Sequence, residues 1–551
     1  MQNRRILSEN KITSAHLPTV MLVIGYPIYW LEVYWFQAGQ GRTTPLAWFL
    51  FLTVSVAVLW VNRTATGLLV KDWKIKFSEM KRPARIFVGV GSLLSAGILL
   101  CALYASLLPP HLIQEFDALN YHLTLPRQHL ILGSFTHIPW AADDLLLLPV
   151  DFAIAPYWLA TPLPNKFPQF LFLLGLAAVS VNLVKHLKRV HPPANWIMLF
   201  AVLGLHSAGI QMGTAMLDLV ICYLFIAALD SFFAGAFALA VIEFSFFFWA
   251  KSFIPVQMTL IVAGMLVMFF VLRKFGFFVV GWGLNDPPDF TPDRERPVVC
   301  RKMIAGFVIL SLLIGGPFVA KSIYYSGTPF FPLVPGLLNI GSDIEKNPKA
   351  WQSLIGSSEK WTKDVRDNYG HGRSLTAFLK HFWLLAVPEK GVNNAFDYPL
   401  GLMYLIFLGP FVYVFYRSLR GRQYGIIPFF VVFYWGSWWF GSQQSRFLYI
   451  PLILSFAVVL AEMRRYSKTF FFAVTLALLM TTISVVRAHR HDFGVPFEEI
   501  LRKKDLELIR MNANYIKKGD DGYVDLDFHD VAYAGFPVNV IRENLPHTLA
   551  Y

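Results

Sequence analysis

The chain has 551 residues, of which 56% are hydrophobic, 16% aromatic and only 15% charged. Soluble domains carry about 25% charged residues, so a water-soluble chain of this length is excluded and an integral membrane protein is expected. The formal charge of +13 falls between apolar stretches rather than on one face, which marks topology and leaves no nucleic-acid partner to expect. Cys101, Cys222 and Cys300 lie far apart and offer neither a disulfide framework nor a metal-ligand spacing.

In chain order, apolar stretches long enough to span hydrocarbon fall near 18–36, 45–62, 86–108, 168–184, 194–209, 211–230, 234–250, 253–272, 303–320, 399–416, 425–441, 447–462 and 469–486. That predicts an all-α polytopic membrane domain over residues 1–486 with about thirteen transmembrane helices. Lys and Arg mark cytoplasmic loops. Arg4, Arg5 and Lys11 precede the first stretch, Lys71 to Arg85 fill the second connection, and Lys185, Lys188 and Arg189 follow the fourth. Arg273 to Lys302, then Arg417 to Arg422, then Arg464 to Lys468 complete the set. With the N-terminus cytoplasmic, every cluster lies inside. Residues 145–160 are apolar too, but counting them would expel the Lys185–Arg189 cluster. With Asp151 and two prolines, they read as a helix lying at the membrane interface.

This topology leaves two large outer loops, 109–167 and 321–398, and an extracytoplasmic C-terminal segment, 487–551. Helical spacing over 506–516 and alternation at Val524, Leu526 and Phe528 predict a small α/β tail. No secretory cleavage pattern precedes the first stretch, so it is expected to be retained. No internal repeat is evident, which speaks against an inverted-repeat transporter.

The first outer loop carries Asp117 close to Tyr121, His122 and Arg127. A partly shielded carboxylate beside such groups can act as a general base toward a hydroxyl; a surface acid is the plainer alternative. Arg127, Lys251, Lys321 and Arg446 lie on the outer side, where the charge rule predicts few cations. They are either snorkelling anchors or receivers of an anion such as phosphate, which Arg binds bidentately and Lys as a point charge. Asp218, inside an apolar stretch, needs a partner or a cavity, and Lys251 is the partner to expect. His489-Arg490-His491-Asp492 offers only a weak metal pattern. No phosphate-cradling glycine loop, HExxH or nucleophile elbow occurs.

Several short segments together resemble the bacterial GT-C glycosyltransferases, which use polyprenyl-phosphate-linked sugars. Phe116-Asp117-Ala118-Leu119-Asn120-Tyr121-His122-Leu123 is similar to the first outer-loop motif of that family, in which the aspartate is the catalytic base. Ala215-Met216-Leu217-Asp218-Leu219 resembles its membrane aspartate segment, and Trp249-Ala250-Lys251-Ser252 its lysine step. Tyr325-Ser326-Gly327-Thr328-Pro329-Phe330-Phe331-Pro332 is similar to its Gly-Asn-Pro-x-x-Pro turn, with Thr328 for Asn. Ser442-Gln443-Gln444-Ser445-Arg446-Phe447-Leu448 resembles the Gln-x-Arg opening of a late span. The matches run in family order from about 86 to 462. Two departures stand out. The second outer acid of the family has no clear counterpart among Asp143, Asp144 and Asp151, and two spans precede the Asp117 loop beyond the usual arrangement.

The resemblance implies an inverting glycosyltransferase in the bacterial inner membrane. Sugar would pass from a polyprenyl-phosphate carrier to a glycan, lipid or protein acceptor on the outer face. It assigns Asp117 as base and Tyr121, His122, Arg127, Asp218, Lys251, Gln443 and Arg446 to substrate. Metal ligands are not indicated, and a divalent cation remains open. A secondary transporter, a lipid flippase or a non-catalytic envelope assembly subunit are the alternatives in other classes.

Overall fold

A computed structural model describes residues 13–36, 44–63, 77–108, 117, 121–138, 142–158, 166–187, 193–276, 278–281, 296–338, 344–367, 369–387, 396–420, 423–463, 466–489, 517–518 and 524–525. The first helices are α1 Leu17–Leu31, α2 Thr44–Val61, α3 Arg82–Leu107, α4 Thr124–Leu132, α5 Pro149–Trp158, α6 Phe167–Leu187 and α7 Pro193–Leu203. There follow α8 His206–Gln211, α9 Asp218–Phe233, α10 Phe237–Trp249, α11 Phe253–Lys274, α12 Arg296–Ile314 and α13 Gly316–Ser326. The segment 321–398 contributes α14 Pro348–Asp367 and α15 Leu375–Leu384, and the chain continues through α16 Leu402–Arg420, α17 Ile426–Phe440, α18 Tyr449–Glu462 and α19 Lys468–His489. Proline in the first turn opens α1 and α3, where its fixed φ fits and its missing N–H is not needed.

Each predicted apolar stretch contains helix, although the sixth is not helical between Gln211 and Asp218. Among the described residues, seven helices are long and apolar enough to cross a membrane, and an eighth arises if the bent pair Arg301–Ile314 and Gly316–Ser326 counts as one. That pair bends by 55° around Gly315, where a Cβ would meet the Trp249 indole at 2.4 Å. Four more helices, Pro45–Val61, Pro193–Leu203, Phe237–Trp249 and Ile426–Phe440, are apolar but shorter.

The core lies where α9, α6 and α18 pack on one another. The stretch Ser445–Glu462 is 83% buried, whereas Phe253–Lys274 is 22% and Lys468–Ala488 28% buried. The outer helices therefore turn large apolar side chains outward, among them Leu260, Val267 and Phe270 on α11 and Phe472 on α19. Faces of that kind need a non-aqueous surround. Short strands Phe278–Gly281 and Gln423–Gly425 pair in parallel, joining two of the connections that the charge pattern places on one side.

Helix α5 departs from the sequence expectation. All ten of its residues are buried, packed mainly on α1 and also on α2, so it is an interior helix rather than one lying on the interface. An interfacial helix keeps a polar face in water; α5 has only Asp151, which pairs inward with His122. In the tail, Lys517–Lys518 and Val524–Asp525 pair antiparallel; the predicted helix over 506–516 lies outside the described residues.

At the end of α9 away from Asp218, a buried polar network ties four helices. Glu243 accepts from Thr19 at 2.8 Å and Ser231 at 2.7 Å, and pairs with His16 at 2.8 Å. Asp230 pairs with His16 at 3.3 Å and with His186 at 2.8 Å. Each buried acid is thus hydrogen-bonded and faces a histidine, as burial demands.

Candidate functional site

Three turns and two loop segments converge at the other end of α9. Asp218 occupies the first turn of α9, where the helix N-terminus favours a negative charge. Lys251 and Ser252 form the α10–α11 turn, and the Ser252 hydroxyl accepts the Leu147 N–H at 2.9 Å. Arg446 sits in the 3₁₀ turn Ser445–Leu448 before α18. The same turn fixes the end of the long 321–398 segment. The Ser445 N–H donates to the Phe396 carbonyl at 2.8 Å and its hydroxyl to the Tyr398 carbonyl at 2.5 Å. Asp397, between those two carbonyls, is held beside Arg446.

Arg446 is the hub. Its Nη2 lies 2.9 Å from Asp117 Oδ2, and its Nε lies 3.1 Å from Asp397 Oδ2 and 3.7 Å from Asp218 Oδ2. Lys251 Nζ donates to Asp218 Oδ1 at 2.9 Å. Both cations lie over the Phe447 ring, Lys251 at 5.2 Å and Arg446 at 5.5 Å from its centroid, within cation–π range. The Oδ2 atoms of Asp218 and Asp397 are buried without an aligned hydrogen bond. Three carboxylates thus surround two cations. The consequences differ by position. Burial pushes the Asp117 carboxyl up, but Arg446, His122 and Lys251 outweigh it and hold it below the ordinary carboxylate range. Burial lifts Asp397 to about 6, because Asp218 and Asp117 oppose the help from Arg446. Burial and Asp117 hold the Tyr121 phenol well above its usual range, which keeps it a donor.

Asp117, Tyr121, Lys251 and Arg446 line one cavity of about 2220 Å³. Its polar end also receives His137, Asp143, Tyr325, Tyr369, Lys349 and Lys360. From Lys251 the cavity continues along α11 past Val256, Leu260, Gly264, Met268 and Leu272, facing Val432, Phe433 and Phe440 of α17 and Phe415 and Leu419 of α16. The α11 residues recur every four positions and so form one row along the helix. From Ser252 to Leu272 that row runs about 30 Å at 1.5 Å per residue, the thickness of a bilayer core.

The other expected site residues are placed differently. Asp218 lies behind the cavity wall and carries the ion pair with Lys251 that the sequence led us to expect. His122 is buried, with Nδ1 2.9 Å from Asp151 Oδ1 and Nε2 without a partner; it acts on Asp117 only through its electrostatic field. Gln443 donates to the Trp439 carbonyl at 3.1 Å and the Gly372 carbonyl at 3.3 Å, so it braces the 369–372 segment. Gly370, at φ +87, is required there, since a Cβ would overlap Gln443 Oε1 at 1.6 Å. Arg127 does not line the cavity. Lys321 is not free to receive an anion. It pairs with Asp144 at 2.8 Å over the Phe135 ring, and Asp144 also meets His129, His137 and the Ile138 N–H.

The three competing outer acids are thereby separated: Asp143 reaches the cavity, Asp144 neutralises Lys321, and Asp151 holds His122. Asp397 is the acid that sequence reasoning missed. The signal available was Phe396-Asp397-Tyr398, an acid between aromatics just before a span, as Phe116-Asp117 comes just after one. Among the described residues no group of three His, Cys, Asp or Glu is placed to hold a metal ion; the 490–492 part of the weak metal pattern lies outside them.

No family model matches the chain, and comparison with curated proteins and with solved structures likewise returns no match. The functional reading therefore rests on the residues and their geometry.

Proposed function

We propose that this protein is an inverting membrane glycosyltransferase of GT-C type, with about thirteen spans, a cytoplasmic N-terminus and its site on the outer face of a bacterial inner membrane. The donor is a sugar on a polyprenyl phosphate; the acceptor is a hydroxyl of a glycan, lipid or protein. One observation carries the reading. A candidate base, Asp117, shares a cavity with two cations, and that cavity continues as an apolar groove as long as a bilayer core is thick. A lipid-linked sugar phosphate has those three parts in that order.

On this reading the lipid tail lies along α11 and α17, and the phosphate takes the place at Arg446 and Lys251. Arg446 then turns from Asp117 to the phosphate, which frees the carboxylate and raises its basicity. Asp117 takes the proton from the acceptor hydroxyl, whose oxygen bonds to the anomeric carbon as the bond from that carbon to the phosphate oxygen breaks. Polyprenyl phosphate departs with its charge met by Arg446 and Lys251, an electrostatic contribution realised as charge develops. No covalent intermediate is needed, so no second carboxylate has to stand close behind the sugar. Tyr121 offers a hydrogen bond to the sugar.

The test is single-turnover transfer from purified lipid-linked sugar by Asp117→Asn. Transfer should fall by about two to four orders of magnitude, while thermal unfolding and donor binding change little. Near-normal transfer by the folded variant would remove Asp117 as the base; no transfer by the unaltered protein would favour a transporter or an assembly subunit.

A further inference from the structure

We infer that one face of α14 is the acceptor-binding wall of the cavity and that it selects acceptors carrying anionic groups, phosphate or carboxylate; this rests on the proposed transferase reading. Lys349, Ser353, Ser357 and Lys360 all line the cavity. They stand at intervals of four, four and three residues, and so share one side of the helix. From the first lysine to the second the rise is about 16 Å, a binding edge rather than a point.

The adjoining side of the helix holds this edge in place. Leu354 and Ser358 are buried, the Ser358 hydroxyl donates to the Pro332 carbonyl at 2.5 Å, and Trp351 lies against Gly336. Gly336 in turn donates its N–H to the Ser326 carbonyl at 2.7 Å, so the turn after α13 is the base on which α14 rests.

Among the charged residues of α14 whose side chains are described, Lys349 and Lys360 line the cavity, and Glu359, Lys363, Arg366 and Asp367 do not. Neither lysine forms an ion pair among the described residues, while the inner cations are both engaged by carboxylates. Both lysines are exposed to water. The donor phosphate already has its place at Lys251 and Arg446, beside the apolar groove. An acceptor entering from the water side meets the α14 edge instead, with serine hydroxyls between the two ammonium groups to receive further sugar oxygens.

The experiment measures binding to the full-length protein in phosphatidylcholine nanodiscs, without donor, by surface plasmon resonance. The probes are a galacturonate tetramer, a glycerol phosphate oligomer and neutral maltotetraose. The acidic probes should bind more weakly as salt rises, and maltotetraose should bind less than either. Lys349→Gln with Lys360→Gln should weaken the acidic probes about tenfold, the scale of two exposed ion pairs, with an unchanged thermal melt. Equal binding of neutral and acidic probes, no binding of either acidic probe, or no loss in the double variant would overturn the inference. A second arm weighs the phosphatidylglycerol that co-purifies with each protein. Loss of that lipid without loss of the acidic probes would assign the lysines to headgroups and overturn it too. Because no turnover is measured, binding that behaves as expected alongside no transfer by the unaltered protein would reject the transferase and keep the anionic wall.

Discussion

Asp397→Asn isolates the most unusual electrostatic feature of the site. Three carboxylates stand around two cations, so one negative charge has no counterpart, and Asp397 bears it. Its carboxyl rises from the ordinary 3.8 to about 6, roughly two units at 1.36 kcal/mol each. The ionised form therefore costs about 2–3 kcal/mol at pH 7, with the attraction to Arg446 already included. The sign follows from proton binding. Between about pH 4 and 6 the native state holds this proton and the unfolded state does not. The contribution of Asp397 to stability is accordingly greatest below about pH 4, falls through that window, and is flat above it. Asn keeps the size and removes the charge. The variant should be more stable than the native protein at pH 7 by about 2 kcal/mol, and the difference should shrink as pH falls to 4.5. Equilibrium unfolding in mixed micelles at several pH values gives that difference directly, and other titrating groups cancel between the two proteins. A variant that is less stable at pH 7, or a difference that does not move with pH, would refute the charge count.

Arg446→Ala should destabilise the protein by about 3–5 kcal/mol, because it leaves acids buried without their partner. Arg446→Lys should recover part of this and only part of donor use, since the planar fork that reaches Asp117 and Asp397 together is lost; equal unfolding curves for both variants would contradict the hub role. Gly370→Ala should cost at least about 1–2 kcal/mol from its left-handed backbone alone, with the Gln443 overlap added, and should raise protease sensitivity in the 369–372 segment. Cysteine labelling in intact cells should reach positions 340 and 530 but not 77; the reverse pattern would invert the topology and the site with it.

Much of the membrane architecture was legible because a bilayer asks for long apolar runs and tolerates few other solutions. The charge rule likewise drew attention to Lys251 and Arg446, cations on the side where few are expected, and Asp218 stood out as an acid in an apolar run. The same logic misled at Lys321. Its position is as anomalous as that of Arg446, but its partner Asp144 is distant in sequence, and nothing local reveals that the two meet. Helix α5 was misread for a related reason: its composition suits an interface, and only the packing of α1 and α2 decides that it lies inside. Asp397 went unnoticed because an acid in a polar outer loop is ordinary until the Ser445 turn draws it beside Arg446. His122 and Gln443 were picked out for hydrogen-bonding capacity, which they use, but toward Asp151 and backbone carbonyls.

The arrangement of α9 bears on how the protein is made. It carries Asp218 at one end and Asp230 near the other, and neither is compensated within the helix. His16 and His186 precede it in synthesis, whereas Lys251 follows 33 residues after Asp218. On the proposed topology, an isolated α9 leaving the ribosome would thus reach the bilayer with Asp218 still without its cation, which membrane acids ordinarily need. Insertion of α9 should wait for α10 and the turn beyond it, and the two helices should pass from the translocation channel into the bilayer as a pair.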